Sequence, residues 1–143
     1  MSNAKNIAKY IISKFQSVVT NEIEGDLTNL KLQKLLYYVQ MLSIEKLGKP
    51  AFSNTIEAWK YGPVIPDVYH EYSTHGKNVI TIEKPTFSLD SEGLKVIVDQ
   101  VVKDKGKYTG IALMEISHDE QSWISAYNAE NKIITNDAIK ASL

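Results

Sequence analysis

The sequence predicts a mainly α-helical fold: a single compact domain of about six to seven helices with a small antiparallel β-ribbon. Three observations carry this. Apolar residues recur at three- and four-residue spacing over residues 5–19 and 28–47. The second half holds several short apolar segments, each preceded by a Ser, Thr or Asp able to cap a helix. Two β-branched, loosely alternating stretches, 53–60 and 78–84, flank one Gly62-Pro63 pair.

The elements follow in chain order. Ile7, Ile11, Phe15, Val18 and Val19 line one face of a first helix from about Lys5 to Val19, opposite Lys9, Ser13 and Gln16. The stretch "TNEIEGD" breaks it. Thr28 caps a second helix that reaches Leu47, where Gly48 and Pro50 stop it. "SNTIEAWK" is a short strand, and Gly62-Pro63 marks the turn after it. Pro66 opens a short helix ending by Gly76, since the N–H it lacks has no partner in a first turn. "NVITIEK" is expected to pair with the strand at Ile56. Asp90 or Ser91 caps a helix carrying Leu94, Ile97, Val98, Val101 and Val102, closed by Gly106. Thr109, Asp119 and Thr135 open the last three helices. The whole chain, residues 1–143, is read as one domain.

Composition narrows the function. With 143 residues, 43% of them hydrophobic, the chain can bury a substantial core. Sixteen basic residues against seventeen acidic ones leave a net charge of −1, which argues against a default nucleic-acid binder. The absence of cysteine removes disulfides, cysteine-ligated zinc and thiol catalysis. No signal peptide and no apolar run of membrane-spanning length is visible, so a cytoplasmic location is expected.

The second helix has two apolar faces. Leu32, Leu35, Leu36, Val39 and Leu42 form one stripe; Leu30, Tyr37, Met41 and Ile44 form another on roughly the opposite side, flanked by Gln33, Lys34, Gln40 and Glu45. A helix with two such faces is sandwiched. The protein's own helices can cover both. Alternatively, the Leu30, Lys34, Tyr37, Met41 and Ile44 side meets a partner, with Tyr37 as its anchor.

Candidate chemistry is sparse. His70 and His75 lie about 140° apart on a helix and cannot share a metal from one face, so no metal and no cofactor is expected. His118, Asp119 and Glu120 cluster at a helix start, where capping and the helix dipole account for the two carboxylates. A small hydrolase using His118 with Asp119 or Glu120 is the catalytic alternative. No nucleophile elbow, phosphate loop or zinc-protease motif is present, and no enzyme is expected. Trp59, Tyr61, Tyr69 and Tyr72 crowd around Pro63 and Pro66. A base-stacking platform would need more than Lys60 among Glu57, Asp67 and Glu71. A packed corner or a partner surface both remain open.

Three segments carry a resemblance. "LTNLKLQKLLYYVQ", "IEAWKYGPVIPDVY" and "LMEISHDEQSW" resemble the Panacea domain, the SocA-like antitoxin domain that also occurs in phage-associated GepA-like proteins. Its pattern resembles K-L-Q-K-L-L-Y, then A-x-x-Y-G-P-V-x-P-x-x-Y, then T-H-x-E-x-P-W. Ser117 stands here for the usual Thr, and Ser122 for the Pro before Trp123.

The resemblance implies a mainly α-helical domain that binds and neutralises a cognate toxin protein encoded beside it. One member of the family looks like a proteolytic adaptor, delivering its bound toxin to a ClpXP-type protease; that is the alternative role. No catalytic residues are established for the family. A domain that pairs with unrelated toxins is expected to vary its surface around a fixed core. The motif residues Lys31, Leu32, Gln33, Leu35, Leu36, Trp59, Tyr61, Gly62, Pro63, Pro66, Tyr69, His118, Glu120 and Trp123 are therefore expected to be structural.

Overall fold

The computed structural model describes residues 3–17, 26–82, 87–89 and 91–143. Among them run α1 Ala4–Ser17, α2 Asn29–Leu47, β1 Ile56–Trp59, β2 Gly62–Val64, α3 Pro66–Glu71, α4 Glu92–Lys105, α5 Gly110–Ser117, α6 Gln121–Tyr127, β3 Ile133–Ile134 and α7 Asn136–Ala141. A 3-10 turn, Ser73–His75, follows α3. This is the mainly α fold with a small antiparallel ribbon that the sequence predicts.

The axis of the fold is α2, buried without interruption from Lys31 to Gln40. It touches α1, α3, α4, α5, α7 and β2. Its ends are fixed locally: the Thr28 hydroxyl accepts from the Lys31 N–H, and Gly48, at φ +71°, closes the last turn with its N–H on the Ile44 carbonyl. Leu32, Leu35, Leu36 and Val39 are fully buried, as their stripe predicts. Each contributes roughly 1.5–3 kcal/mol by leaving water.

Ser91, Thr109 and Thr135 cap α4, α5 and α7, each hydroxyl accepting a first-turn N–H. Pro66 occupies the first turn of α3. The start of α6 differs from expectation: Glu120, not Asp119, is its N-cap, because Asp119 and Glu120 still bond back to the end of α5 through the Ile116 and Ser117 carbonyls. Val18 and Val19, expected in the first helix, lie outside the described residues, as does all of "TNEIEGD" but Asp26.

The sheet corrects two expectations. Its strand order is β2-β1-β3, so the second neighbour of β1 is Ile133–Ile134, with Ile56 opposite Ile134. "NVITIEK" does not pair there. Its Val79 forms an isolated bridge with Thr28, and its Ile80 N–H bonds the Leu27 carbonyl; Glu83 and Lys84 lie outside the described residues. The turn between β1 and β2 is Lys60-Tyr61, with Trp59 opposite Gly62. Gly62 and Pro63 already belong to β2. Gly62, the first residue after the turn, supplies a positive φ, +101°, that a residue with a Cβ rarely adopts. Pro63 is tolerated because β2 is an edge strand.

Candidate functional site

The three motif segments converge on the β1–β2 hairpin. From α2, the Lys34 ammonium donates to the Pro63 carbonyl (3.0 Å), and Gln33 accepts from the Ile65 N–H (2.9 Å) while donating to Asn29 (2.9 Å). Asn29 in turn donates to the Tyr69 carbonyl at 3.0 Å. From the other side, the Trp123 indole N–H donates to the Trp59 carbonyl, and His118 Nε2 lies 3.0 Å from the Lys60 carbonyl. A carbonyl only accepts, so this contact selects the Nε2–H tautomer. The His118 ring leans on Trp123, which stacks on Tyr127 at 4.7 Å. Glu120 accepts from the Tyr38 hydroxyl at 3.4 Å. The hairpin is thus held by its own main chain from both flanks.

Two lysines of α2 are buried, and one of them, Lys34, belongs to this clamp. Lys34 is fully buried and forms no ion pair among the described residues, and burial pulls its pKa down to about 7. Lys31 donates to the Gly106 carbonyl at 2.6 Å, satisfying the end of α4, with its ammonium 4.8 Å from the centre of the Phe15 ring. Burial lowers its pKa to about 8 against the opposing charge of Asp26.

The second stripe of α2 is not an open strip. Tyr37 is fully buried and shares a 2.7 Å hydrogen bond with Ser122 on α6, and Lys34 and Ile44 are buried as well. Leu30 and Met41 are half-buried. The expected anchor Tyr37 therefore faces the protein itself, because α5, α6 and α7 cover the side of α2 that α1 and α4 leave free.

An open groove of about 1000 Å³ lies where the first turns of α2 and α5 meet the hairpin and α3. Leu30, Tyr61, Tyr69, Ile111 and Met114 are among its lining, with Trp59 and Tyr108 beside them. Tyr61 and Ile111 are 59% and 61% exposed, high values for large apolar side chains. Of the aromatic stretch, Tyr72 is buried core, Trp59 and Tyr69 pack edge to face at 5.0 Å, and Tyr61 projects outward. The groove wall includes Lys77 and Lys107 but not His118, Asp119 or Glu120. His70 is exposed on α3, and His75 lies in the 3-10 turn against Tyr72.

Of the groove residues, Leu30 and Lys34 belong to the α2 stripe that the sequence offers to a partner, and Trp59, Tyr61 and Tyr69 to the motif residues expected to be structural. Tyr108, Ile111, Met114, Lys77 and Lys107 were in neither set. For Ile111 and Met114 the signal was α5 itself, whose apolar residues outnumber the positions a single buried face can absorb.

Comparison with known proteins gives one consistent result. The family described as "Antitoxin SocA-like, Panacea domain" matches residues 32–124, a span that includes most of the clamp. The chain is 29% identical over 131 residues to "Antitoxin SocA" of Caulobacter vibrioides (strain NA1000 / CB15N), covering 81% of this chain and 65% of that protein. The chain thus spans a little under two thirds of the length of that curated relative. No solved structure matches. With most of its central helix, the hairpin and the α5–α6 corner inside the matched span, the chain belongs to the SocA-like antitoxin, Panacea-domain family.

Proposed function

We propose that this chain is an antitoxin-type protein-binding module that neutralises a cognate toxin protein by direct binding in the cytoplasm. The observation that carries the reading is the groove. Its lining brings the exposed Tyr61 and Ile111 together with the half-buried Leu30 and Met114, whereas Tyr10, Tyr37, Tyr38, Phe52, Tyr72 and Trp123 are buried. Family membership and the likeness to an antitoxin of Caulobacter support the toxin as the occupant. Binding is favoured over catalysis, because His118 is engaged with the Lys60 carbonyl of the hairpin and Glu120 with the Tyr38 hydroxyl of α2.

The test is co-expression with the product of the adjacent open reading frame. That product should arrest growth alone, be relieved by this chain, and be captured with it. An adjacent product that is harmless, or toxic but neither captured nor relieved, refutes the reading. The half-life of the toxin during relief separates the two mechanisms. An unchanged half-life means occlusion, and a shortened one means delivery to a ClpXP-type protease.

A further inference from the structure

The charges around the groove say what kind of segment it takes. Lys77 and Lys107 line it, and Lys60 sits at the hairpin tip beside Tyr61; none of the three forms an ion pair among the described residues. The one carboxylate of the wall, Asp26, is already drawn to Lys31. The first turns of α2 and α5 open onto the same groove and carry no acidic residue. Thr28 and Thr109 each take one first-turn N–H, and the others have no acceptor within their helix. The two helix starts abut: a methyl group on Gly110 would lie 3.1 Å from the Lys31 backbone nitrogen. Their positive ends therefore add in one place.

We propose that the groove recognises an acidic segment of the partner protein, seating an apolar side chain against Tyr61, Ile111 and Met114 and a carboxylate among Lys77, Lys107 and the starts of α2 and α5. This rests on the antitoxin reading for the identity of the partner, though not for the chemistry of the groove. A protein is favoured over single-stranded nucleic acid. The floor is partly aliphatic, and Trp59 and Tyr69 pack on each other instead of presenting parallel faces.

The test uses the whole chain, isotopically labelled, titrated with two short synthetic peptides by NMR. Both carry the same leucine and phenylalanine positions; one has glutamate between them and the other lysine. The glutamate peptide should shift the amides of Leu30, Gly110 and Ile111, and its binding should weaken on adding salt. The double variant Lys77→Glu/Lys107→Glu should weaken it about tenfold or more. Ile111→Asp should do likewise, while Val96→Asp, on the exposed face of α4, should leave it unchanged. Lys77 and Lys107 are exposed, so the charge variant keeps the test valid even if Ile111→Asp unfolds.

Equal binding of the lysine peptide, shifts confined to another face, or no binding of the glutamate peptide overturns the proposal. So does a single-stranded oligonucleotide that shifts the same amides more tightly. The peptide result is independent of any toxin. Neutralisation that survives Lys77→Glu/Lys107→Glu overturns this docking site and spares the antitoxin reading. Glutamate-peptide binding without neutralisation does the reverse.

Discussion

Gly62→Ala probes the clamp at its tightest point. Gly62 has φ +101°, where an alanine costs about 1–2 kcal/mol. Its new methyl would lie 2.6 Å from Lys34 Cε and 2.8 Å from Ser117 Oγ. Neither neighbour can retreat easily. Lys34 is fully buried with its ammonium on the Pro63 carbonyl, and Ser117 donates to the Met114 carbonyl at 2.7 Å. Overpacking of this kind adds about 1–3 kcal/mol, for a total of about 2–5 kcal/mol. Gly48 is the internal control. It also has positive φ, +71°, but a methyl there meets nothing within 4 Å, so Gly48→Ala should cost only about 1 kcal/mol. Urea unfolding of both variants reads the difference, with the midpoint moving and the slope constant. Introducing Gly62→Ala into a Lys34→Ala background should recover about 1–3 kcal/mol of the steric cost. Equal destabilisation by Gly62→Ala and Gly48→Ala, with no coupling to Lys34, would refute the clamp as described.

Two further outcomes follow from the buried polar groups. Lys34 and Lys31 have folded pKa values of about 7 and about 8, below the ordinary 10.5, so the unfolded chain holds more protons between those limits. Stability should therefore rise as pH increases from about 7 towards 10. It should fall above that, because burial raises Tyr10, Tyr37, Tyr38 and Tyr72 above their ordinary 10.0. Lys34→Met should remove most of the rise, on the order of 3 kcal/mol, in urea titrations across pH. Gln40 accepts from the Ala51 and Phe52 N–H groups and donates to the Phe52 carbonyl and Asn136. Gln40→Ala should cost about 2–4 kcal/mol by stranding buried donors, measured as a drop in urea midpoint.

What the sequence disclosed follows the range of the interactions involved. Thr28, Ser91, Thr109 and Thr135 could be read as caps because a cap is settled within four residues. The α2 leucines could be read because one helix turn repeats them. The partner of β1 could not, since Ile133–Ile134 and "NVITIEK" are equally β-branched and only the path of the whole chain distinguishes them. The full burial of Lys31 and Lys34 could not be read, for lysine is seldom fully buried unless paired. Tyr37 read as a plausible anchor, because its amphipathic ring suits an interface as well as a core. The groove needed α5 to be laid against α2, a juxtaposition that no single segment encodes.

The clamp also sets the timing of folding during synthesis. The Tyr37 hydroxyl, the Trp59 and Lys60 carbonyls and the Gln40 amide all find partners between His118 and Asn136, some 58 to 96 residues further along the chain. While those residues are still inside the ribosome, α2 has formed one flank but has no second flank to close on. Its apolar stripe then faces water. The clamp accordingly closes only after Asn136 has emerged, so the long-range contacts of α2 form late relative to its local turns.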